Sequence, residues 1–190
     1  MFYYYHTPAG QVTFINQYPP SEHPDPVISA MGFTTSEELH PYTHYVENGA
    51  LVVMPAQPSP NHVFDYVAKQ WYDPRTLDQL KAEKWAAIKA EREVREYAGF
   101  VWDGSTFDSD QIAQARITGA VTLATLSSSF ATVWTLADNT THALNAAAMI
   151  AVGVALGTHV QTQFAVATEL RSLIDAATTP EQLSVIGWPL

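Results

Sequence analysis

Six of the nine basic residues of this 190-residue chain fall in one stretch, 71–99. They are Arg75, Lys81, Lys84, Lys89, Arg92 and Arg95, and six acids accompany them. Residues 1–70 hold one base, Lys69, and six acids, while 100–190 hold two bases, Arg116 and Arg171, and seven acids. Between 77 and 98 there is neither Gly nor Pro, and Ala, Leu, Glu, Lys and Arg dominate, so this stretch must be a helix. Asp73 with Pro74, or Thr76 with Gln79 as a capping box, can start it. Gly99 is the natural residue to end it. Its apolar stripe (Leu77, Leu80, Ile88, Ala98) is broken, the mark of a helix that is mostly solvated or bridges two bodies. Glu91 and Arg95 are spaced to pair along it. The predicted organisation is an N-terminal β-rich domain at 1–70, a connecting helix at 71–99 and a C-terminal α+β domain at 100–190.

The first part reads as a small β meander. FYYYH and QVTFIN flank the turn signal TPAG. YPPSEHPDPVISAMGF reads as a Pro-rich loop. THYV and ALVVM flank Glu47-Asn48-Gly49, a hairpin signal. AQPSP is a linker-like break, and HVFDY with KQWYD forms a further hairpin. A body of this size is marginal alone.

The last part predicts a helical domain with two short hairpins. FVW and TF flank a DGS turn, and Asp108 or Ser109 is read as the N-cap of the next helix. On that helix Ile112, Ala115, Gly119, Leu123 and Leu126 share one face. TVWTL and THAL make the second hairpin. Asn145 caps a long helix over about 146–176, whose stripe (Met149, Val152, Leu156, Val160, Leu170, Ile174) is close to heptad spacing and is read as a self-association face. A short helix follows the Thr179-Pro180 cap. Trp102, Phe107 and Trp134, each beside a turn signal, are predicted to form a small aromatic core.

Candidates for chemistry are few. Asp103, Asp108 and Asp110 cluster in WDGSTFDSD, but Gly104 follows the first Asp, not where a calcium loop needs it. A turn residue and an N-cap explain them. His40 and His44 are four apart, yet Pro41 breaks the helix that a metal pair needs. Ser127, Ser128 and Ser129 lack the glycines of a nucleophile elbow. Asn139-Thr140-Thr141 matches a glycosylation sequon, though Met1 opens directly into FYYYHTPAG without a leader pattern. Gly153-Val-Ala-Leu-Gly157 suits close helix packing, within the chain or between copies. The apolar run 146–157 is too short to span a bilayer. A net charge of −10 argues against nucleic acid, and the absence of Cys excludes thiolate chemistry and disulfides. The expectation is a non-enzymatic protein with no cofactor, no metal and no membrane insertion.

The segment WAAIKAEREVREYAGFVWDGSTFDSDQIAQARITGA resembles the opening of a C-terminal domain of unknown function found in bacteriophage tail proteins. The matching residues are Trp102, Asp103, Gly104, Phe107, Asp108, Asp110 and Ile117. TVWTLADNTTHAL and TTPEQLSVIGWP extend the resemblance across about 81–190. MFYYYHTPAG, HYVENGALVVMP and FDYVAKQWYDPRT are similar to the front of tail-fibre-assembly-type and tail-tip proteins. The resemblance implies a structural virion protein, made in the host cytoplasm and placed in the phage tail. It would link a tail fibre or receptor-binding part to the baseplate or tail tip, as a homo-oligomer with a homotrimer favoured. The alternatives are a tail-fibre assembly chaperone and a small hydrolase of envelope polymers. The family brings no catalytic residues with it.

Overall fold

The computed structural model describes residues 1–22, 32–40 and 42–189. The fold is α+β and divides into two units, Met1–Arg75 and Thr76–Leu190. Most of the Pro-rich stretch, with His23, lies outside the described residues, as does Pro41.

In the first unit β1 (Phe2–His6) runs antiparallel between β2 (Val12–Asn16) and β3 (Gly32–Ser36). Sequence reading leaves β3 unassigned, because GFTTS is short and follows a Pro-rich stretch. Tyr4 and Tyr5 of β1 are both buried. Tyr4 packs with Val12 and Val46, and its hydroxyl donates to the Glu38 carbonyl at 2.9 Å and accepts from the His40 N–H at 2.6 Å. Next come the hairpins β4 (His44–Glu47) with β5 (Ala50–Val53), and β6 (Val63–Asp65) with β7 (Gln70–Tyr72). The β4–β5 turn has positive φ at Asn48 (50°) and Gly49 (77°), the backbone that Asn-Gly adopts readily. Lys69 ties the unit together: its ammonium donates to the Ala9 carbonyl at 2.6 Å and sits 4.7 Å over the Tyr45 ring. AQPSP lies inside this unit, where the Trp71 indole N–H donates to the Pro55 carbonyl just before it, at 2.8 Å.

The second unit begins with α1 (Leu77–Glu96), capped by Thr76 and Gln79 in a reciprocal box. Asp73 instead pairs with Arg75. The structure therefore differs from the three-part division at 1–70, 71–99 and 100–190. The charged helix is no free connector: Ile88 is buried, and Leu77, Leu80 and Trp85 pack around the same cluster. Gly99, with φ of 91°, turns the chain into β8 (Phe100–Trp102) and β9 (Ser105–Phe107). Then follow α2 (Gln111–Leu126), the hairpin β10 (Ala131–Thr135) with β11 (Thr141–Asn145), α3 (Ala146–Ala176) and α4 (Pro180–Ser184). The N-cap of α2 is Asp110, which accepts from the Ala113 N–H at 2.8 Å, rather than Asp108 or Ser109.

The long helix α3 is the spine of this unit. Its first half (Met149, Val152, Leu156) packs with Phe100, Phe107, Ile117, Ala124 and Leu144. Its second half (Ala167, Leu170, Ile174) packs with Ile88, Leu183 and Ile186. Burying such side chains contributes about 1.5–3 kcal/mol each. Gly153 lets α2 approach: a Cβ there would stand 2.6 Å from a methyl of Val121. By length and composition alone α3 is also apolar enough to cross a bilayer, with mean hydropathy 1.3 in its most apolar window. A core helix passes the same test.

Candidate functional site

The Asp103-Gly104 turn has positive φ at both residues, 47° and 72°, which brings β8 and β9 into tight register with Trp102 opposite Ser105. Phe107 is fully buried, with Phe100 stacked at 5.5 Å and Trp102 edge-on at 6.1 Å. His142 of β11, opposite Trp134, lies edge-on to Trp102 at 5.7 Å. Trp102 and Trp134 are half-buried against this cluster. The three aromatics singled out by sequence thus share one core, and His142 is the member that sequence reading missed. Its place two strands away gave no spacing signal; only the β10–β11 register reveals it.

The same corner collects polar groups. Ser105 Oγ lies 3.2 Å from His142 Nδ1, and His142 Nε2 lies 4.0 Å from an Asp103 carboxylate oxygen. A serine nucleophile needs its histidine oriented by a hydrogen bond on the far nitrogen. At 4.0 Å the Asp103 carboxylate, itself 70% exposed, makes no such bond. Asp108 is exposed, and Asp110 is occupied as a cap. Among the described residues, no three of His, Cys, Asp or Glu come together as metal ligands would. His40 and His44 do meet, rings 4.7 Å apart, each beside a hydroxyl (Ser36, Thr43). Asn139 has φ of 63° in the β10–β11 turn, and Ser127 and Ser129 bond each other in the α2–β10 loop.

The six residues read as a self-association face fall elsewhere than expected. Met149, Val152, Leu156, Leu170 and Ile174 are buried within the chain's own fold, and Val160 is half-buried against the first cluster. The stripe is the intramolecular seam, and α1, α2 and the hairpins cover it. The α2 face is likewise inverted. Ala113, Ile117 and Ala124 are inside, while Ile112, Ala115, Gly119, Leu123 and Leu126 are exposed.

What remains open on α3 is a second stripe. Ala147, Ile150, Val154 and Gly157 are exposed and Gln161 continues the line, while Phe164, one step on, carries the Arg92 guanidinium of α1 at 4.2 Å over its ring. Val154 is 65% exposed. Beside it a groove of about 240 Å³ runs between α2 and α3, with Thr118, Val121 and Gly153 in its walls. Over 111–168, Arg116 and Asp138 are the charged residues. A surface that is apolar and this poor in charge is a candidate contact site. Its signal was present in the sequence as 3- and 4-residue spacings, but α3 carries two such stripes.

A family described as a domain of unknown function, DUF4376, matches residues 79–186. That span falls within the second unit, and the description carries no activity, ligand or partner. No curated protein and no solved structure matches the chain.

Proposed function

The chain belongs to the DUF4376 family, and, from the resemblance of its sequence to phage tail proteins, we propose that it is a structural protein of a phage tail. In this reading it links a tail fibre or receptor-binding part to the baseplate or tail tip through protein–protein contacts, as a homo-oligomer. The observation that carries it is the charge-poor outer surface of 111–168, where Leu123, Leu126, Ile150 and Val154 are exposed, set on a chain of net charge −10. Such a surface is suited to be covered by protein, and the overall charge disfavours nucleic acid. The resemblance of 81–190 to phage tail proteins supplies the setting. Mass spectrometry of purified virions tests the reading: the protein is expected among the tail components. Its absence from virions, with presence in the infected cell, would move the function to a tail-fibre assembly chaperone.

A hydrolase is the reading from another class, and Ser105 beside His142 is the observation in its favour. The unbonded, exposed Asp103 weighs against it. Substitution Ser105→Ala is expected to leave the protein's role in the tail intact.

A further inference from the structure

We infer that α3 packs in parallel against α3 of a second copy of this chain, through Ile150, Val154, Gly157 and Gln161. This deepens the contact-protein reading but stands on the helix itself.

The spacing from Ile150 to Gln161 is four, three, four, a heptad seam on the side of α3 that its own fold leaves exposed; the next step, Phe164, is already covered by the Arg92 guanidinium of α1, 4.2 Å over its ring. A 3.5-residue period is matched by another helix of the same period, not by an irregular surface. Charge selects the partner. Two copies at net −10 repel wherever their acids face each other, yet no charged side chain occurs between 146 and 168. Here like meets like without that repulsion. Room is available too: a Cβ on Gly157 would meet nothing within 4 Å, so a neighbouring backbone can approach. Gly153, by contrast, is already used against Val121.

Gln161 sets the direction. In a parallel pair it meets the partner copy's Gln161, and the two amides hydrogen-bond. An antiparallel pair centred on Gly157 would press it onto Val154 and leave an amide unsatisfied. A single polar seam residue is a known device for fixing register. Lipid is the poorer occupant. The stripe has none of the Lys, Arg or Trp by which interfacial helices lie on a membrane, and Thr158, Gln161 and Thr162 are exposed along it.

The chain has no cysteine, so a single introduced thiol reports one position. In the full chain, Val154→Cys under mild oxidation is expected to give a disulfide-linked pair, since seam positions of parallel helices fall within bridging distance. Ala86→Cys, on the exposed side of α1, should stay uncrosslinked. Light scattering of the wild type should give a multiple of 20.9 kDa. Val154→Glu should give the monomer mass with an unchanged circular dichroism spectrum. A wild type that is monomeric at tens of micromolar, or Val154→Cys crosslinking no better than Ala86→Cys, overturns the inference. So does a monomer that binds phosphatidylcholine vesicles and loses that binding in Val154→Glu, which would assign the stripe to lipid. Virion content tests the tail reading separately, so either can fail alone.

Discussion

Ser109 is the fully buried polar residue among those described. Its hydroxyl donates to the Glu96 carbonyl and accepts from the Gly99 N–H at 2.9 Å. It therefore satisfies the Gly99 N–H where α1 ends and shares the Glu96 carbonyl with His159 Nε2, 3.1 Å away. Ser109→Ala is expected to cost about 1–3 kcal/mol, read from the urea midpoint. The sequence offers Asp108, Ser109 and Asp110 in a row, any of which can cap a helix. Choosing among them takes tertiary information, because the Glu96 carbonyl draws Ser109 inward and leaves Asp110 as the cap. Asp73 carries a different prediction. The Arg75 guanidinium, 2.6 Å away, lowers its carboxyl from 3.8 to about 2. A depressed carboxylate stabilises the fold fully above its unfolded value, and that contribution is lost as pH falls through the folded one. Acid titration should therefore show the Met1–Arg75 unit losing stability between pH 3.8 and about 2. Asp73→Asn should remove part of that decline; an identical acid limb in the variant would refute the assignment. The Asp65 carboxyl, lowered by the Ala68 and Val67 amides, adds to the same limb.

At the scale of elements, α3 presents two apolar stripes of similar spacing, one inside and one outside. Val152 is 0% exposed and Val154 65%, although two residues apart. Val152→Glu should unfold the second unit, since an unpaired charge in the core costs several kcal/mol. Val154→Glu should leave the melting temperature nearly unchanged when the comparison is made between monomers. Gly153→Val should cost about 1–3 kcal/mol by forcing α2 away at Val121, measured by thermal unfolding. Periodicity made the helices, the turns and the Asn145 and Thr179 caps legible in advance. It could not say which stripe faces in. On α2 Ile112, Leu123 and Leu126 ended outside while Ala113, Ile117 and Ala124 lie inside, Ile117 and Ala124 in one cluster with Met149 and Val152 of α3. Both faces of α2 mix large and small apolar residues, so size and hydrophobicity did not distinguish them. His142 escaped notice for a related reason: its neighbours Ser105 and Trp102 are distant in sequence and meet it only through the pairing of separate hairpins.

At the scale of the whole molecule, the charge switch near residue 71 marked a boundary close to the observed one at 75–76. It did not show that α1 belongs to the second unit, because one buried residue, Ile88, and the half-buried Leu77, Leu80 and Trp85 make a weak stripe among many charges. Residues 76–190, expressed alone, are expected to fold with a cooperative thermal transition. A fragment without helical circular dichroism would show that the division is wrong. On the proposed reading, the function lies in an exposed, charge-poor surface rather than in a reactive group. The most direct measurement of the proposed tail role places two variants in the genome that encodes the chain and scores the protein content and infectivity of purified particles. Val154→Glu, which leaves the monomer folded, is predicted to deplete the protein from the particle or abolish infectivity, while Ser105→Ala leaves both at wild-type level. Wild-type particles from Val154→Glu together with lost infectivity in Ser105→Ala would contradict the account and move the function to the Ser105–His142 pair.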